Sequence, residues 1–176
     1  EDVTWETSSM RSWLNGYGAS VNQPKTDYSR KNFIDSAFTS TQKNAIKTTN
    51  VVNNNNIDYG TAGGNNTSDK VFLLSESEVY NTDMAEGYGF VKDSETDDEA
   101  RRSRCSTYAY AMGTYRSYDT EYTKYNGNIW WWLRSPGIEG NYAAEVYKYG
   151  WGYRDGSYVD DTTDGVRPAL HLNLQS

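Results

Sequence analysis

Apolar residues along this chain follow two periods, helical over the first two thirds and alternating over the last third. Near the start, Ser8 or Ser9 caps a short segment through Arg11, Trp13 and Leu14 that stops at Asn15-Gly16, a pair suited to a left-handed terminal residue. That spacing turns Trp13 and Leu14 toward the core. Phe33, Ile34, Ala37 and Phe38 repeat the helical interval, and Thr39 or Ser40 opens a further short helix reaching Ile46. Val71-Phe72-Leu73-Leu74 is bulky and continuous, the pattern of a buried strand. Ser75, three residues before Glu78, then makes a capping box that starts a helix. Thr96 and Glu99 predict the same device ahead of Ala100 to Arg104.

From Ile129 the pattern becomes one of strands and turns. Ile129-Trp130-Trp131-Trp132-Leu133 opens this part and Val166-Arg167-Pro168-Ala169-Leu170 closes it. Between them Ala144 and Val146 alternate with Glu145, Tyr147 and Tyr149, Gly150 and Gly152 interrupt, and Tyr158 and Asp160 flank Val159. This predicts twisted antiparallel hairpins. Pro168 requires an edge, a strand start or a bulge in the last strand. Val51 to Asp69 and Asp83 to Asp98 read as loops by composition. With no internal repeat and no linker, residues 1–176 are expected to form a single α+β domain.

Composition narrows the choice of partner. The net charge of -7 argues against the phosphate backbone of a nucleic acid or an anionic membrane surface. The longest apolar runs are far short of the roughly 20 residues of a membrane-spanning helix, so no membrane insertion is expected. A lone cysteine, Cys105, excludes an internal disulfide and a cysteine-based zinc cluster. The single histidine, His171, lies in a strand-like run, so a Cys/His nucleophile pair has little support. Asp160, Asp161 and Asp164, or Asn53 to Asn56 with Asp58, offer oxygen atoms to calcium. Neither stretch has the spacing of a calcium loop, and no metal or cofactor is expected. Arg134 and Arg167, set among apolar neighbours, are expected to be partly buried and paired with carboxylates such as Glu6 or Asp69.

The strings Trp130-Trp131-Trp132-Leu133-Arg134-Ser135-Pro136-Gly137 and Gly165-Val166-Arg167-Pro168-Ala169-Leu170 resemble a family of bacterial domains common in gut Gram-positive bacteria. The earlier blocks Thr4-Trp5-Glu6-Thr7-Ser8, Trp13-Leu14-Asn15-Gly16 and Asp69 to Ser75 resemble it in the same order, so the likeness covers nearly the whole chain. The family is similar to the C-type-lectin-like fold in the form shared by formylglycine-generating enzymes and the variable proteins of diversity-generating retroelements. The resemblance implies short helices and an irregular antiparallel sheet, formed largely by the C-terminal third, that displays ligand-contacting residues on one outer face. Members carry further strands before the Thr4-Trp5 block, where this sequence starts, so the first layer is expected to be missing or replaced. The enzymes of that fold use a pair of cysteines with copper, and one cysteine does not suffice. In the diversified branch a C-terminal tract varies at adenine-containing codons. Many residue types in Ile138 to Asp164 are reachable that way from an asparagine codon, but Glu139, Glu145, Lys148 and Trp151 are not.

The expected contact surface consists of Tyr142, Glu145, Tyr147, Tyr149, Trp151, Tyr153, Arg154, Asp155, Tyr158, Asp160 and Asp161. Rigid amphipathic rings give large contact area at low entropic cost, while arginine and carboxylates add orientation. Such a mixture suits a protein or a carbohydrate ligand. The expectation is a non-catalytic binding domain at the surface of, or secreted by, a bacterium or its prophage. The alternatives are an enzyme using Glu145 and Asp160 as an acid/base pair, and a structural module of a larger surface protein.

Overall fold

The computed structural model describes residues 2–80 and 82–174. Among these residues six short helices come in chain order: α1 (Ser9–Asn15), α2 (Phe33–Ala37), α3 (Ser40–Ala45), α4 (Glu76–Val79), α5 (Met84–Gly87) and α6 (Thr107–Ala111). The strands are β1 (Ile46–Lys47), β2 (Thr49–Val51), β3 (Thr67–Asp69), β4 (Ser103–Arg104), β5 (Asn128–Ile129), β6 (Trp131–Pro136), β7 (Tyr142–Val146), β8 (Gly152–Tyr158) and β9 (His171–Leu172). All strand ladders are antiparallel: β1 with β9, β2 with β3, β4 with β5, and the triplet β6-β7-β8. The protein is therefore α+β, with its largest sheet in the C-terminal third.

Local chemistry sets the helix ends. Ser8 accepts the Arg11 N–H at 3.1 Å, and Gly16 closes α1 at φ 73°. Thr39 with Gln42 and Ser75 with Glu78 form capping boxes on α3 and α4. Leu14 is buried, while Trp13 is half-buried against Phe33, their ring centroids 5.7 Å apart. The box expected at Thr96 and Glu99 does not form. Asp98 caps a single 3-10 turn, Glu99–Arg101, Thr96 instead bonds Asp93, and the chain enters β4 rather than continuing as a helix. The two predicted loops are mostly irregular, although Thr67–Asp69 pairs as β3 and Met84–Gly87 forms α5.

Val71 to Leu74 is buried as predicted but joins no regular ladder. Its backbone is satisfied piecemeal. Asn15 accepts from the Lys70 and Val71 N–H groups and donates to Val71 O, Phe72 bridges Ala169, and Leu74 O accepts from Arg134 N–H. This run crosses the centre of a core that also holds Trp5, Leu14, Val79, Tyr80, Trp131, Leu133, Ala144 and Val146.

Buried polar groups tie loops to that core. Asp69 accepts from Arg11 Nε (2.8 Å), Trp5 Nε1 (3.1 Å), Tyr17 Oη (3.0 Å) and Thr67 Oγ1 (2.6 Å), clamping the N-terminal turn and α1 to β3. Arg134 and Arg167 are indeed largely withdrawn from solvent, but with other partners than expected. Arg134 pairs with Glu78 and donates to the carbonyls of Leu73 and Val52. Arg167 donates to the carbonyls of Ala100 and Arg101 and lies over the rings of Trp131 and Phe90, and among the described residues it makes no ion pair. Glu6 instead accepts from Asn65.

Candidate functional site

β7, β8 and the turn between them carry the expected contact surface except Asp160 and Asp161, which lie on the segment after β8. That turn is tight: Tyr147 N–H donates to Trp151 O and Gly150 N–H to Tyr147 O, both at 2.8 Å. Gly150 adopts φ 89°, and a Cβ there would sit 2.2 Å from the Asp98 carbonyl oxygen. From below, Arg101 donates to Gly150 O at 2.6 Å. The arginine is fully buried and also donates to the carbonyls of Val79, Val91, Asp93 and Thr96, so one side chain fixes both the turn and the 90–98 loop.

This scaffold arranges the rings in contact with one another. Tyr147 sits between Trp130 (centroids 4.1 Å apart) and Tyr153 (4.9 Å). Tyr149 sits between Tyr125 (4.6 Å) and Trp151 (5.6 Å), and Tyr142 stacks on Tyr158 at 4.3 Å. Tyr142, Tyr147, Tyr149 and Tyr153 are half-buried, whereas Trp151 is 43% and Tyr158 55% exposed. The rings thus lean on one another at their bases and leave edges in water, with Trp151 and Tyr158 the most prominent. Burial raises the pKa of the Tyr147 and Tyr153 hydroxyls, which stay neutral at physiological pH and both donate and accept hydrogen bonds. Cations border the Tyr125-Tyr149 contact: Lys124 lies 4.6 Å and Arg102 5.2 Å from the Tyr125 ring, and Lys148 5.0 Å from Tyr149.

The charged members of the expected surface are distributed differently. Glu145 is 0% exposed and cannot contact a ligand from the surface as expected. Alternation aims it at the same side as Tyr153, its cross-strand partner, but the segment running to Gly165 covers it. Its Oε1 accepts from Ser157 Oγ at 3.0 Å, and its carboxyl meets Asp164. Burial first, then the neighbouring carboxylate, pushes Glu145 far above the ordinary glutamate range, and burial also raises Asp164, so the two acids share a proton at neutral pH. Arg154 pairs with Asp58 at 2.8 Å, and Asp155 accepts the Tyr59 hydroxyl; both fasten the 53–61 loop to β8. Asp160 and Asp161 are exposed, the latter capping Thr163.

Trp130 and Tyr125, absent from the expected surface, complete the two ring runs. Alternation through Trp130-Trp131-Trp132 could have assigned Trp130, since only the middle ring is fully buried. Tyr125 ends a 3-10 turn, Thr123–Tyr125, distant in sequence and carried no such signal. Glu76 is a further unanticipated group. Buried beside Tyr80 and Asn56, it is pushed up to about 7, first by burial and then by Asp58. Among the described residues no group of three or more His, Cys, Asp or Glu side chains could hold a metal ion. Asn56 instead donates to the carbonyls of Pro136 and Arg154, and Asn53 to that of Asn65. No helix among the described residues is long and apolar enough to cross a membrane.

No curated protein and no solved structure matches the chain. One family model does, over residues 1–174, and by that match the chain belongs to the family described as a domain of unknown function (DUF6273).

Proposed function

We propose that this protein is a non-catalytic ligand-binding domain of C-type-lectin-like fold that grips a protein or carbohydrate through the ring-bearing surface of β7 and β8. The observation that carries the reading is the set of ring contacts around Tyr147, Tyr149 and Tyr158, which holds the exposed faces of Trp151 and Tyr158 in place before any ligand arrives. Preordered rings lose little conformational freedom on binding, and a few such anchors supply most of the affinity of an interface. The flanking Lys124, Lys148, Asp160 and Asp161 add a polar rim. An acid/base reaction through Glu145 and Asp160 has less support, because Glu145 is sealed from substrate.

Display by a bacterium or prophage, with diversification by a retroelement, fits the same surface if variation is confined to exposed positions such as Ile138, Tyr158, Val159 and Asp160. Glu145, Gly150, Gly152 and Gly156 would stay fixed, since each is packed against a neighbouring chain segment. A reverse-transcriptase gene and a template repeat beside the coding sequence are the expected genomic signs.

Glycan and protein arrays probed with the labelled domain test the proposal. A hit should weaken roughly thirtyfold in Trp151→Ala, the size expected of an interface anchor, with the melting temperature nearly unchanged. Hits indifferent to both Trp151→Ala and Tyr158→Ala would overturn it.

A further inference from the structure

A concavity lies where the N-terminal turn and α1 meet β6 and β7. It encloses about 480 Å³, within the range of small-molecule sites, and its walls include Trp5, Met10, Trp132 and Tyr142. Asp160 and Asp161 stand in its lining on the segment that follows β8. Both are exposed, and neither makes an ion pair among the described residues; Asp161 uses one oxygen to cap Thr163, which leaves its negative charge uncompensated. Among the described residues the one basic member of the lining, Arg134, has its guanidinium committed to Glu78 and to two backbone carbonyls. An apolar, aromatic chamber with two free carboxylates and, among the described residues, no free cation selects against anions. It favours an apolar body carrying one positive charge, which the carboxylates attract and a ring face can also accept.

We propose that this cavity binds an alkyl- or arylammonium compound, with the hydrocarbon between Trp132 and Met10 and the ammonium toward Asp160 and Asp161. The cavity shares Tyr142, Asp160 and Asp161 with the edge of the β7-β8 surface, but that surface's anchor Trp151 and its Tyr153 do not line the cavity.

Titration with phenethylammonium, 2-phenylethanol and 3-phenylpropanoate, followed by ligand-observed NMR and tryptophan fluorescence, tests the assignment. The ammonium compound should bind roughly tenfold more tightly than the neutral alcohol, and the carboxylate should not bind. The double substitution Asp160→Asn with Asp161→Asn changes exposed side chains only and keeps an oxygen for the Thr163 cap. It should bring the ammonium compound down to the alcohol's affinity while leaving the alcohol unaffected. Trp151→Ala should change neither, which separates this site from the ring surface. Equal binding of all three compounds, no binding at millimolar concentration, or an unchanged preference in the double variant would each overturn the proposal.

Discussion

Replacing Glu145 by glutamine tests the buried acid pair directly. In the folded protein Glu145 holds a proton that it releases once unfolded, because burial and Asp164 raise its pKa. A raised acid contributes fully below its unfolded value, about 4.3, and that contribution is lost as pH rises above it. The loss amounts to about 1.4 kcal/mol per pH unit for one proton, so about 4 kcal/mol between pH 5 and 8. Glutamine has no proton to lose; its amide donates to Asp164 and its carbonyl accepts from Ser157, the contacts Glu145 makes when protonated. Thermal melts of wild type and Glu145→Gln at half-unit steps from pH 5 to 8 should therefore diverge, with the variant gaining as pH rises. For a chain of this size each kcal/mol corresponds to about 2–4 °C, so the gap should grow by roughly 10 °C. Parallel curves would refute the shared proton.

Glu76→Gln should behave differently: its pKa is pushed up only to about 7, so the variant's advantage should grow from about pH 4.5 and then level off near neutrality, read in the same melts. Arg101→Ala leaves five carbonyls without their donor and should cost about 3–5 kcal/mol in chemical denaturation, with limited proteolysis appearing first between residues 83 and 98. Gly156→Ala should cost about 2 kcal/mol or more, because Gly156 lies at φ 74° and a Cβ would meet the Ala143 carbonyl oxygen at 2.0 Å; a melt within 2–3 °C of wild type would contradict the β7-β8 bulge.

Where a residue's role is set by its near neighbours in sequence, the sequence showed it. Ser8, Asn15-Gly16, Thr39 and the Ser75-Glu78 box act within one helical turn, and alternation from Tyr142 to Tyr158 placed the hairpin. Roles set by distant segments were hidden. Thr96 and Glu99 satisfy the capping pattern, yet Asp98 takes the cap while Arg101 gathers carbonyls from Val79 through Gly150. Glu145 has the right parity for an outer face, but parity says nothing of the Asp164 segment lying over it. Arg154 and Asp155 suit a contact surface by type, and only the three-dimensional arrangement shows them engaged by Asp58 and Tyr59.

Those misplacements bear on how the ring surface keeps its shape. Register shifts interrupt both ladders of the three-stranded sheet, so regular strand pairing alone does not fix the positions of the rings. The buried or engaged polar residues supply the stiffness: Arg101 holds the Gly150 turn, Arg154 and Asp155 hold the 53–61 loop, and the Glu145-Asp164 pair presses the returning chain onto β7. Each connects a segment outside the sheet to a strand or turn that carries the rings, Arg101 through the Gly150 carbonyl and the others through side-chain pairs. It follows that Arg101→Ala or Arg154→Ala should reduce ligand affinity without removing any contacting atom, chiefly through faster dissociation as Tyr149 and Trp151 lose their fixed orientation. Surface plasmon resonance on an array-identified ligand would separate the two rates. An unchanged dissociation rate in a folded Arg154→Ala variant would mean that the rings hold their orientation by mutual contact alone.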